Sequence, residues 1–72
     1  MSYEIKSAGK LNTMLHNTML SKGFTLVELS RSSGVHRATI SRILRGYQIP
    51  RFDTAYLIAQ ALDADPVALF TE

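Results

Sequence analysis

Arginine is the residue type with the most chemical potential in this sequence. Arg31, Arg37, Arg42, Arg45 and Arg51 fall within residues 31–51, a stretch that contains no acid. Residues 52–72 reverse the sign: Asp53, Asp63, Asp65 and Glu72 occur there without a Lys or Arg. The formal net charge of +2 hides this segregation, which creates a local positive field. Arg presents a planar fork of donors that matches phosphate oxygens and the O6/N7 edge of guanine. A solvated basic face is the plainer reading of a charge run. The choice between the two depends on where the arginines stand on an element.

Other chemistries find little support. His16 and His36 are far apart in sequence, and no carboxylate cluster accompanies them as a metal set would require. Ser41 and Thr39 have no His–Asp company to activate a hydroxyl. The chain has no Cys, which excludes a disulfide framework, a thiolate zinc site and a cysteine nucleophile. No residues stand behind an enzyme reading, and no cofactor or small-molecule ligand is evident. The 72 residues, 46% of them apolar, suffice for one globular domain and no second core. No apolar run approaches the roughly 20 residues of a membrane span. The opening MSYEIKSAGK lacks the apolar stretch of a signal peptide. Absence of Cys fits a reducing cytosol.

Gly and Pro divide the chain into helix-length pieces. Residues 1–8 read as a short arm and residues 9–72 as the domain. Leu11, Met14, Leu15, Thr18 and Met19 follow helical spacing, so a first helix is expected from Gly9 to Ser21, ended by Gly23. Thr25 with Glu28 three residues on forms a capping box for a second helix, Leu26 to Ser32. Gly34 stops it and Val35 is a buried turn residue. A third helix is expected over Arg37–Leu44, ending at Gly46. Tyr47–Pro50 is a loop, because the residue before Pro50 is pushed out of helical geometry. Asp53 is expected to cap a fourth helix ending near Leu62, and Asp65 with Pro66 starts a fifth that runs to Phe70. The expected core holds Leu11, Leu15, Leu20, Phe24, Leu26, Leu29, Val35, Ile40, Ile43, Phe52, Ile58, Ala59, Leu62, Leu69 and Phe70, with Met14 and Met19 at or near it.

The third helix carries the decisive pattern. At about 100° per residue, Arg37, Ser41, Arg45, Ala38 and Arg42 share an arc of about 140°. The rest of the wheel holds Ile43, Ile40 and Leu44, with Thr39 at the boundary. Small residues between arginines let the helix backbone approach a surface closely. An α-helix of this profile fits the major groove of B-DNA, about 12 Å wide, and is too short and too sparsely apolar for a membrane-surface helix.

A helix, a Gly turn and a basic helix make a helix-turn-helix. The run TLVELSRSSGVHRATISRILRG resembles the phage repressor and Cro-like group, the XRE family. Glu28, Leu29, Gly34, Val35, Thr39, Ile40, Ser41, Arg42, Ile43, Arg45 and Gly46 stand at matching places. The later segments RFDTAYLIAQAL and DADPVALF match as well, so the resemblance spans about Lys10 to Phe70. It implies an all-α, five-helix, lambda-repressor-like DNA-binding domain. It further implies a cytoplasmic, bacterial or phage-encoded regulator, either minimal or one domain of a longer chain.

Carried over by position, the resemblance makes Arg37, Ala38, Ser41 and Arg42 the base-reading set. Thr39 and Arg45 match places that touch phosphates or brace the helix, and Arg51 and the backbone of Phe52 match a loop and helix start that meet the DNA backbone. Thr25 and His36 join this backbone set, and Tyr47, in the loop after the third helix, either touches a phosphate or sugar or simply packs. The sequence also departs from the pattern. Leu26 replaces a polar, phosphate-bonding residue, often Gln. His36 replaces the Ser or Thr that usually caps the third helix. Met19 and Leu44 together replace a partly buried Arg–Glu pair, which reads as packing. Ser30 and Ser33 replace Ala and a larger aliphatic residue, which predicts looser packing of the second helix.

The resemblance implies double-stranded DNA as partner and a weak homodimer on a pseudo-palindromic operator, as in a repressor. The rival reading is an antitoxin-like or other protein-interaction module. Its support is an apolar strip of Leu57, Ala61, Ala64 and Val67, with Leu57 where relatives carry a polar residue. The same strip serves as the expected dimer or partner surface.

Overall fold

The computed structural model describes residues 11–70, and these residues contain five helices and no strand. The helices are α1 (Thr13–Lys22), α2 (Leu26–Ser33), α3 (Arg37–Leu44), α4 (Phe52–Ala61) and α5 (Pro66–Phe70). The expected arm and the Gly9 start of the first helix lie outside the described residues.

Local chemistry fixes each helix start. Asn12 is the cap of α1: its side-chain oxygen accepts the Leu15 N–H at 3.0 Å, while its own backbone is extended. The helix therefore begins at Thr13, after Leu11 rather than before it. Thr25 Oγ1 accepts the Glu28 N–H at 3.2 Å and the Thr25 N–H donates to Glu28 Oε1 at 3.0 Å, completing the capping box. His36 caps α3 through Nδ1, which accepts the Ala38 N–H at 3.1 Å. Asp65 Oδ1 accepts the Val67 N–H at 3.0 Å, with Pro66 at the first helical position. The expectation that Asp53 caps α4 is corrected. Arg51 holds the cap position without a side-chain bond, and Asp53 lies inside the first turn. There its carboxylate accepts the Thr54 N–H at 2.8 Å and faces the positive end of the helix dipole.

The core comprises Leu15, Met19, Leu29, Val35, Ile40, Ile43, Ala55, Ile58, Ala59, Leu62, Leu69 and Phe70. Phe24, Leu26 and Leu44 are partly buried against it, so Met19 and Leu44 both pack as expected. Three expected core residues are exposed: Leu11 at 50%, Leu20 at 65% and Phe52 at 66%. Leu11 precedes the α1 cap. Leu20 lies one step of about 100° beyond the inward Leu15–Met19 row. Phe52 is the first residue of α4, at the margin of the core. Met14 is exposed as well. Ala55, absent from the expected core, is fully buried because it sits three and four residues before Ile58 and Ala59.

α2 packs on both α3 and α4, α4 packs on α5, and α1 crosses α5 and α3. The two helices of the helix-turn-helix are thus braced from both sides. Among the described residues no helix is long and apolar enough to cross a membrane.

Candidate nucleic-acid interface

The orientation of α3 is set by its seat and its entry turn. Ile40 and Ile43 are 0% and 3% exposed and lock one side of the helix into the core. Gly34 ends α2 at φ 78°, a left-handed conformation that Gly adopts without steric cost. Val35 is buried beside it. The buried Ser33 hydroxyl accepts the Val35 N–H at 3.1 Å. The looser packing expected at Ser33 is not its main consequence. Its hydroxyl satisfies a backbone donor inside the turn, a role that a Ser just before a Gly turn can fill locally.

The opposite side of α3 faces outward. Arg37, Arg42 and Arg45 are exposed, while Ala38, Thr39 and Ser41 are half-buried between them. Among the described residues the single ion pair joins Arg51 Nε to Asp53 Oδ1 at 3.7 Å, with both side chains largely exposed. Such a pair contributes little. The guanidinium groups of Arg31, Arg37, Arg42 and Arg45 therefore have no carboxylate partner among the described residues.

From residue 15 to residue 69 the chain matches the helix-turn-helix family HTH_3. The protein belongs to that family. Two solved structures are similar to this HTH_3 chain. One is the restriction-modification controller protein C.AhdI from Aeromonas hydrophila, with a TM-score of 0.77 and 27% identity over 82% of this chain and 89% of that one. The other is an HTH_3 family transcriptional regulator from Vibrio cholerae, with a TM-score of 0.76 and 30% identity over 85% of this chain. The chain spans about a third of the Vibrio protein, 34% of its length. A search of curated proteins finds no match.

In this HTH_3 domain the remaining singled-out residues fall into three groups. Tyr47 and Arg51 are exposed beside Arg45 in the α3–α4 connection, with Phe52 at its end. At 71% exposure Tyr47 is not a packing residue. Thr25 is engaged locally, its hydroxyl in the capping box and 3.2 Å from Glu28 Oε1. The Leu57 strip departs from a single helical row. Leu57 and Val67 are exposed at 42% and 49%, but Ala61 and Ala64 are partly buried against the core. Ala64 stands beyond the end of α4, where Asp63 takes φ 53° and turns the chain.

A further basic residue stands beside the start of α3. Arg31, in the last turn of α2, lines a shallow concavity of about 360 Å³ with Val27, Ser30, His36 and Arg37. The sequence places Arg31 in the basic stretch but gives it no contact. The one local signal for such a role is its position in the last turn of α2, just before the Gly turn.

Proposed function

We propose that this protein is a sequence-specific double-stranded DNA-binding regulator of transcription that acts as a dimer. The observation that carries the reading is the outward row of α3: Arg37, Ala38, Ser41, Arg42 and Arg45 stand opposite a buried Ile40–Ile43 seat. Family membership and the named regulators of similar fold agree with it. α3 enters the major groove, Arg37 and Arg42 reach guanine edges, and Ala38 and Ser41 allow close approach. Arg45, Arg51 and Tyr47 meet phosphates on the flanking backbone.

The described residues extend 30 × 22 × 21 Å. Successive major grooves lie about 34 Å apart along one face of the duplex, so one copy covers a half-site and two cover a full site. Leu57 and Val67 supply the apolar part of a small two-fold contact. An interface of that size is weak without DNA. Repression then follows from occupancy, as the bound dimer blocks polymerase.

Selection from randomised duplexes tests the reading. It predicts enrichment of a pseudo-palindrome with half-sites one helical turn apart. Recovery of no preferred duplex contradicts it. In that case exposed Leu57 and Val67 favour the second reading, a protein-interaction module on the same fold.

A further inference from the structure

We infer that Arg31 and His36 form a clamp for one DNA phosphate at the α2–α3 junction. The inference rests on the DNA-binding reading above and adds a contact to it. The clamp lies outside the outward row of α3 and is built from both helices of the motif.

Three observations converge on it. First, Arg31, His36 and Arg37 come from two helices yet line one shallow concavity, whose remaining lining is Val27 and Ser30. Second, the positive charge there is uncompensated. Neither Arg31 nor Arg37 has an ion pair among the described residues. Glu28, one turn before Arg31, has its carboxylate committed to the Thr25 cap at 3.0 Å and 3.2 Å. Third, His36 presents a donor to solvent. Its Nδ1 accepts the Ala38 N–H at 3.1 Å, which requires a lone pair on that nitrogen, so the neutral ring carries its proton on Nε2. The exposed imidazole can therefore cap α3 and donate outward at the same time.

A planar guanidinium beside a neutral N–H donor suits a tetrahedral oxyanion that presents two oxygens. A phosphodiester at the edge of the major groove has that chemistry, and the concavity adjoins the first turn of the groove-facing helix. Arg31 and His36 hold the phosphate, which leaves Arg37 at the boundary to turn into the groove.

The test measures affinity for the selected duplex and for a scrambled one across a series of salt concentrations. One released counterion per phosphate contact gives a slope change of about 0.9 and roughly an 8-fold affinity change at about 0.1 M salt relative to 1 M. Arg31→Gln is expected to lose that much on both duplexes, and Arg31→Lys is expected to restore most of it. Neutral methylphosphonates placed one at a time along the duplex then locate the contact. The inference predicts one position in each half-site where neutralisation weakens the wild type clearly more than it weakens Arg31→Gln, which keeps only the His36 donor there. It is overturned if Arg31→Gln binds like the wild type, or if its loss couples to no single phosphate, as expected of a general change in net charge. If the wild type binds neither duplex, the DNA-binding reading itself fails. Arg31 is exposed, and thermal melting of Arg31→Gln verifies that the fold is retained.

Discussion

The backbone N–H of Asn12 donates to the carbonyl of Leu44 at 2.8 Å and ties the cap residue of α1 to the last residue of α3. The same Asn12 caps α1 through its side chain. One residue thus organises the start of the fold and anchors the far end of the basic helix. Asn12→Ala removes the cap and keeps the N–H. The expected cost is about 1 kcal/mol, or a fall of roughly 4–8 °C in melting temperature for a domain of this size. Urea denaturation with circular dichroism checks it. An unchanged midpoint contradicts the assigned role of the cap.

Two turns carry opposite backbone liabilities. Gly34 has φ 78°, and nothing lies within 4 Å of the position a Cβ would take, so Gly34→Ala meets strain rather than a clash. Its expected cost is about 1–2 kcal/mol. Asp63 takes φ 53° as a non-glycine residue after α4, where its N–H donates to the Gln60 carbonyl at 3.1 Å. Asp63→Gly relieves that strain against a more flexible unfolded chain, for a net gain of about 0.5 kcal/mol. Equilibrium unfolding of both variants gives the signs directly. A loss at Asp63→Gly contradicts the strain argument.

Leu57 is the most direct handle on the proposed dimer contact. Leu57→Asp is expected to abolish cooperative binding to the full palindrome while leaving half-site affinity within about threefold, since exposed substitutions perturb the fold by no more than about 0.5 kcal/mol. Titration of full-site and half-site duplexes separates these effects. Unchanged cooperativity places the dimer contact elsewhere.

Much of this architecture is legible in the sequence because each start and stop is local. Thr25 with Glu28, Gly34, His36 and Asp65 with Pro66 act within four residues of themselves, and α3 and α5 take their expected bounds. The misplaced residues depend on tertiary geometry. Leu20 and Phe52 are apolar and helical but lie off the inward row or at the first position of a helix, which periodicity alone does not resolve over short helices. Asp53 looks like a cap until the backbone shows that Arg51 already occupies that place. The strip from Leu57 to Ala64 reads as one helical row only if α4 continues, and Asp63 ends that row. On the candidate interface, the spacing within α3 is visible in sequence. The shared concavity of Arg31 and His36 is not, because it depends on how α2 and α3 pack.

The division of labour among the arginines leads to the decisive comparison. Arg45 and Arg51 are assigned to phosphates, so Arg45→Ala and Arg51→Ala should weaken every duplex about equally and lower the salt slope by about one. Arg37 and Arg42 are assigned to base edges, with a loss of about 1–3 kcal/mol each, felt only on the correct sequence.

Whether α3 reads base sequence is decided by the specificity ratio of the wild type and of Arg42→Ala at fixed salt. It compares the selected duplex with a scrambled duplex of the same length by competition titration. The wild type is expected to prefer the selected duplex by about a thousandfold or more. Arg42→Ala is expected to lower that ratio by about 5–150-fold with little change on the scrambled duplex. Equal wild-type affinity for both duplexes, or an equal loss on both for Arg42→Ala, contradicts the claim that α3 reads base sequence.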